Sequence, residues 1–150
     1  MPQSLSSVLV HLIFSTKHRE PLIIEAVEPA LHAYLAGALR AMGCPALAVG
    51  GMPDHVHALF LLARTTSISQ VVEGLKTESS KWVKTQGPSY RAFHWQAGYG
   101  AFSVSPSRAD ETRSYIENQK EHHRVRSFQD EYRAFLKRHQ IEFDERYVWD

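Results

Sequence analysis

His55 and His57 stand two apart in the stretch His55-Val56-His57-Ala58-Leu59-Phe60-Leu61-Leu62, which is otherwise apolar. In an extended strand successive side chains alternate faces, so both imidazoles point one way. Val56, Ala58, Phe60 and Leu62 point the other way and suit a core. Two imidazoles on one strand can bind one metal ion from adjacent positions. The same spacing also arises in strands whose half-exposed histidines bind nothing. Asp54, in the turn Gly51-Met52-Pro53-Asp54, is an acid that can hold an imidazole tautomer. The chain has nine histidines in 150 residues, which is rich for a residue that serves metals and proton transfer near neutral pH.

A second constellation is Tyr115, Gln119, His122 and His123, at i, i+4, i+7 and i+8 of a helix expected from Ser107 to about Arg124. These positions share one face. Ala109 and Ile116 are the only clearly apolar residues of that helix, so a phenol, an amide and two imidazoles stand where a packed helix would carry leucines. A solvated helix with Tyr115 partly buried is the other reading. Basic residues are scattered: Lys17, Arg19, Lys76, Lys81, Arg113, Lys120, Arg124 and Arg126. With Trp82, Trp95, Tyr99 and Phe102 they can form a groove for a single strand, with stacking platforms. Each alone equally suits a solvated surface. Cys44, in Gly43-Cys44-Pro45, reads as a small buried apolar residue rather than a nucleophile.

The elements that must position these groups follow from pattern. Val8 to Ser15 is apolar and β-branched, a buried strand. Glu25 to Met42 carries Val27, Leu31, Leu35, Ala38, Leu39 and Met42 at helical spacing, with Pro29 near its start and Gly43 at its end. Ala46 to Gly50 and His55 to Leu62 form a hairpin. Ser67 and Gln70 form a capping box that opens the next helix. Arg91 to Gln96 and Gly100 to Ser105 read as extended segments around Ala97-Gly98-Tyr99. Ser105 or Ser107 caps the tyrosine helix, and Ser127 caps a last one bearing Phe128, Phe135 and Leu136. The tail, with Ile141, Phe143, Tyr147 and Trp149, is too aromatic to be free. The order β α β β α β β α α predicts an α+β, ferredoxin-like sandwich with a mostly antiparallel sheet. Residues 1–150 suit one domain, with the C-terminal helix and tail from about 127 packing on the domain or on a partner.

A composition of 43% hydrophobic and 22% charged residues excludes a disordered chain, a collagen-like repeat and a coiled coil. No apolar run approaches the ~20 residues of a membrane helix. The N-terminus has no basic start and no long apolar stretch, so a cytoplasmic protein without a membrane partner is expected. The net charge of +1 does not discriminate between partners.

These pieces resemble the single-tyrosine HUH transposases of the insertion-sequence 200/605 class, and their relatives associated with repetitive extragenic palindromes. The matching stretches run nearly the whole chain in order: His11-Leu12-Ile13-Phe14-Ser15-Thr16, then Pro53-Asp54-His55-Val56-His57, then Leu75-Lys76 with Ser79-Ser80-Lys81-Trp82. Trp95 to Ser105, Tyr115-Ile116-Glu117-Asn118-Gln119 with His122-His123, and Tyr147-Val148-Trp149-Asp150 follow. The resemblance implies that His55, His57 and Gln119 ligate a divalent metal, magnesium or manganese, with His122 and His123 as competing imidazoles. It implies that Tyr115 is the nucleophile that cleaves and rejoins hairpin-flanked single-stranded DNA through a covalent phosphotyrosine. A cation near the phenol would aid it, and Lys120 and Arg113 are the neighbours in sequence. Lys76, Lys81 and Arg113 are candidate DNA contacts, and a homodimer is the implied active form, with the tyrosine helix docked in cis or in trans. A hairpin-binding or nicking protein acting on repetitive palindromic DNA without self-mobility is the alternative. A histidine–metal hydrolase of small phosphates is a third reading, one that needs no tyrosine.

Overall fold

The computed structural model describes residues 2–150. Its centre is a four-stranded antiparallel sheet in the order β2-β3-β1-β4, with β1 at Leu9–Ser15, β2 at Ala46–Met52, β3 at His55–Leu61 and β4 at Gly100–Val104. Every residue of β1 is buried, which explains why that strand reads as a continuous apolar run rather than an alternating one. Helices cover both faces.

On one face Val10, Leu12 and Phe14 of β1 and Val56, Ala58 and Phe60 of β3 form the main core with two helices. These are α1, Glu28–Ala41, which supplies Leu31, Leu35 and Leu39, and α2, Ile68–Lys84, which supplies Val71, Val72 and Leu75. The Ser67–Gln70 capping box opens α2 as its sequence predicts. The opposite face is divided. At one end Leu9 and Leu59 pack with Ile116 of α3, Ala109–Glu117; at the other, Ile13 and Phe102 pack with Phe128, Tyr132 and Leu136 of α5, Phe128–Arg138. His11, His55 and His57 are buried on this face of the sheet, the one that α3 and α5 cover.

Two glycines set how closely those helices approach. A Cβ on Gly50 of β2 would lie 2.4 Å from the backbone oxygen of Ile116, and one on Gly100 of β4 would lie 2.7 Å from the Tyr132 ring. Neither helix could dock at its present depth over a larger residue.

The structure departs from the sequence reading at three places. Arg91 to Gln96 is not a strand; its sheet contact is the single bridge Thr16↔Trp95. Trp95 instead turns its indole N–H to Ser79 Oγ at 2.9 Å and its ring edge to Phe14 and Phe93, so burying aromatics outweighs pairing. The helix expected to run through Tyr115 to about Arg124 breaks at Asn118. That residue (φ −104°, ψ 28°) separates α3 from the single turn α4, Gln119–His122, and its side-chain amide donates to the Ser114 carbonyl at 2.9 Å. Neither Ser105 nor Ser107 caps a backbone N–H; their hydroxyls bond to each other at 3.2 Å. Ser127 does cap α5, accepting from the Asp130 N–H.

The tail packs down only at its end, while Ile141, Phe143 and Tyr147 are exposed. Trp149 rests against Tyr132 and Phe128, and the Asp150 carbonyl accepts the Gly98 N–H at 2.8 Å. No described helix is long and apolar enough to cross a membrane.

Candidate active site

Strand alternation delivers His55 and His57 to one face of β3, and a partner behind each ring fixes its orientation. Asp54 Oδ1 accepts the Nδ1–H of His55 at 2.7 Å. His57 Nδ1 meets His11 Nε2 at 2.8 Å. Both imidazoles therefore present Nε2 to the same space. Histidine ligands are typically held in this way, by an outer partner that sets tautomer and ring angle.

Two oxygen donors meet those nitrogens. Glu131 Oε1 lies 3.0 Å from His57 Nε2 and 3.5 Å from His55 Nε2. Gln119 Oε1 lies 3.1 Å from His55 Nε2. His123 approaches both oxygens, at 3.1 Å from Gln119 Oε1 and 3.3 Å from Glu131 Oε1. One ligand atom each from His55, His57 and Glu131 falls within 4.8 Å of the others. Separations of 3.0 to 3.5 Å suit neighbouring ligands of one ion, since adjacent positions around magnesium at ~2.1 Å lie about 3 Å apart.

The phenol joins the same carboxylate. Tyr115 donates its hydroxyl hydrogen to Glu131 Oε2, and the Gln119 amide donates to that oxygen at 3.3 Å. Gln119 reaches in because it begins α4 just after the break at Asn118. The Tyr115 ring stacks on His122, with centroids 4.4 Å apart, which turns His122 away from the donor set. Within one chain the phenol thus sits on its own histidine cluster.

Glu131 is 1% exposed, and no lysine or arginine pairs with it among the described residues. Burial alone would raise its pKa, but hydrogen bonds from His123 and His57 outweigh burial and hold the carboxyl well below its usual range. Burial pulls His57 down to about 4, against the Glu131 hydrogen bond, so His57 is neutral at pH 7. His11 is lowered too, by burial and by His57. His123 is raised: its hydrogen bond to Glu131 and that charge overcome burial. Tyr115 is pushed above its usual value, first by burial and then by the Glu131 charge, while Arg126 acts the other way.

A neutral His57 that donates Nε2–H to Glu131 must accept from His11 at Nδ1. Ligation through Nε2 requires the other tautomer, with Nδ1–H donating back to His11. The histidine pair can carry either. The donor set thus fits a divalent cation: nitrogen and oxygen donors, and a buried anionic charge with no fixed counter-charge.

The residues singled out from sequence are partly united here. His55, His57, Gln119, His123 and Tyr115 converge. Lys76 and Lys81 lie on α2, which covers the opposite face of the sheet. Lys76 Nζ donates to the carbonyls of Gln96, Ala97 and Gly98 at 2.8, 3.3 and 2.6 Å, and burial lowers its pKa to about 8. Lys81 is exposed and sits 3.9 Å from Glu78. Arg113 donates to the Leu47 carbonyl, and Lys120 pairs with Glu28. Arg126 lines the same cavity as Tyr115, whereas Arg113 and Lys120 do not.

Sequence reasoning missed His11 and Glu131. Both carried a signal. His11 is a polar residue inside an apolar strand, two places from Leu9 and Ile13. Glu131 lies on the stripe Phe128, Glu131, Tyr132, Phe135, Leu136, a carboxylate on the apolar face of its helix.

The model of the family described as "Transposase IS200 like" matches residues 4–119, and the chain belongs to that family of transposases. It is 26% identical over 114 residues to the ISDra2 transposase TnpA of Deinococcus radiodurans, spanning 73% of this chain and 81% of that protein. A crystal structure of a Deinococcus radiodurans R1 protein described as a transposase superposes with a TM-score of 0.62 at 26% identity, covering 79% of this chain and 98% of that one. The REP-associated tyrosine transposase bound to a REP hairpin superposes at 0.57 and 12% identity, over 79% of this chain and 69% of that one, a likeness of fold.

Proposed function

We propose that this chain is a single-strand DNA transposase that cleaves and rejoins hairpin-flanked DNA through a phosphotyrosine formed on Tyr115. The observation that carries the reading is the Glu131 carboxylate, which faces the two Nε2 atoms with one oxygen and the Tyr115 hydroxyl with the other. His55, His57 and Glu131, with the Gln119 amide oxygen beside them, would hold a divalent ion, magnesium or manganese. Bound there, such an ion would polarise the scissile phosphate and stabilise the charge that develops on it. The hairpin form of the substrate is supported by the structural neighbour bound to a REP hairpin.

The chain's own residues do the rest. Tyr115 Oη attacks phosphorus and loses its proton; the bond to the 3′-oxygen breaks, and that oxygen leaves as a 3′-hydroxyl once protonated. The phosphodiester energy is kept in the tyrosine ester, so the hydroxyl can later reverse the step. Glu131 holds the phenol in place. Its negative charge also opposes phenolate formation, and that opposition is relieved once the charge is matched in the donor set. Arg126 favours the phenolate throughout. Lys76, Lys81 and Arg113 remain proposed contacts to the DNA backbone, Lys76 only on release from its three carbonyls. The homodimer belongs to the same proposal; sedimentation velocity on the purified chain tests it, and a monomer at micromolar concentration removes it.

The deciding experiment mixes purified protein with labelled single-stranded hairpins from its own flanking DNA, in magnesium or manganese. A denaturation-resistant adduct that needs metal and vanishes in Tyr115→Phe is expected, with hairpin binding kept. An adduct that survives Tyr115→Phe removes the tyrosine from the reaction. Tight hairpin binding without any adduct would instead favour a hairpin-binding protein that no longer cleaves.

A further inference from the structure

Tyr115 and Arg126 stand at the edge of a cleft of about 280 Å³ whose remaining lining the reaction above does not use. Phe135 and His139 of the α5 end line one wall. Both lie against Phe102, at centroid distances of 5.4 and 4.8 Å, so they form a continuous aromatic surface. Three arginines reach the cleft. Arg108 is tied to Glu111 at 3.2 Å, whereas Arg126 and Arg138 form no ion pair among the described residues and are exposed. Arg138 also lies over the Phe135 ring, 5.5 Å from its centroid. The volume is at or below the low end of small-ligand pockets, room for one nucleotide and not for a duplex. Arg126, Phe135, Arg138 and His139 all lie beyond residue 119, where the family match ends. The C-terminal segment thus adds one wall to a cleft whose remainder, from His11, β4 and α3, lies within the matched residues.

We propose that this cleft seats one unpaired nucleotide of the substrate strand, its base on the Phe135–His139 wall and its phosphate between Arg126 and Arg138. The inference rests on the reading of the chain as a single-strand DNA enzyme. Aromatic faces stack any base, and guanidinium groups hold phosphate, so the site favours single strands without demanding a sequence. Its place beside the phenol means that the nucleotide it holds fixes the next phosphodiester near Tyr115. The cleft would then act as a positioning site for cleavage.

The test uses the full chain in chelator, so that no strand is cut, with a fluorescent twelve-nucleotide oligothymidylate as probe. Anisotropy gives affinity as a function of salt, and a copy carrying 5-iododeoxyuridine is photo-crosslinked and mapped by peptide mass spectrometry. Expected are crosslinks on Phe135 or His139, a roughly tenfold loss of affinity in Arg126→Gln/Arg138→Gln, and a salt slope shallower by about 0.7 for the one phosphate released. Ala134→Trp, on the α5 side of the cleft lining, should weaken binding without removing charge. Crosslinks confined to the Trp95–Tyr99 side, an affinity unchanged in both variants, or no binding of the probe would each overturn the proposal. Its failure is separable from failure of the reaction. An adduct that needs Tyr115 but ignores both variants leaves the reaction and removes the cleft. Crosslinks on Phe135 with no adduct from any hairpin leave the cleft and remove the reaction.

Discussion

Glu131 makes two demands at once: it offers an oxygen to the histidine pair and accepts the phenol's hydrogen bond. Glu131→Gln keeps the shape and removes the charge, so two changes should appear together. Manganese affinity, measured by isothermal titration, should fall by at least ~10-fold, because a carboxylate is the only anionic donor in the set. The Tyr115 phenol should titrate at lower pH, read as the ultraviolet difference between Glu131→Gln and Glu131→Gln/Tyr115→Phe, because a charge that now raises it is gone. Unchanged manganese binding would remove Glu131 from the donor set. His11 is the complementary case. It touches His57 from behind and reaches none of the donor oxygens, so His11→Leu should cost ~10–100-fold in metal affinity with every ligand still present. Equal affinity in that variant would make His11 a packing residue.

At the scale of elements, the site depends on how deeply α3 and α5 sit on the sheet, and one substitution made at two glycines separates docking from propensity. Gly50→Ala puts a methyl 2.4 Å from the Ile116 backbone oxygen, so α3 must lift and carry Tyr115 with it. A loss of about 1–3 kcal/mol in urea unfolding is expected, with a reduced adduct yield. Gly37→Ala lies inside α1 with nothing within 4 Å, and should stabilise by about 0.5–1 kcal/mol, with adduct yield unchanged. If both variants shift stability the same way, α3 docking is not limited by Gly50. Elements of this kind were largely legible in the sequence. The HxH spacing, the apolar run of β1, the Ser67–Gln70 box and the Ser127 cap all announce themselves through local pattern. The break at Asn118 did not, because a helix stripe from Tyr115 to His123 fits equally well until tertiary contacts choose. Arg91 to Gln96 failed for a related reason: extended, aromatic sequence cannot say whether its rings or its backbone will find partners. Glu131 stands sixteen residues from Tyr115, and only the packing of α5 against Ile13 and Phe102 brings it to the histidines. The donors on neighbouring positions could be read from spacing, while those joined by packing required the fold.

For the molecule as a whole, the buried cluster couples folding, protons and metal. His57 is held at about 4 in the folded chain, against an ordinary value of 6.5, so the unfolded chain binds its proton first as pH falls. Stability is complete above about 6.5 and declines through the window down to about 4. The lowered Glu131 continues that decline below the ordinary carboxylate value, and His11 acts in the same direction as His57. His123 opposes them: its raised value adds stability below its unfolded pKa that is lost as pH rises. His57 alone contributes about 2 kcal/mol between pH 6.5 and 5, which corresponds to ~4–8 °C for a chain of this size. In chelator, the melting temperature should therefore fall by several degrees from pH 7 to pH 5. Manganese should add stability, since it binds the folded chain and not the unfolded one. That gain should shrink as pH falls toward about 4, because ligation needs an unprotonated Nε2 on His57, and only there must the ion compete with a proton for it. Scanning calorimetry across this range, with and without the ion, measures both slopes in one series. A flat metal-free profile would mean that His57 is not buried neutral. A manganese gain that does not change with pH would place the ion somewhere other than on the imidazoles.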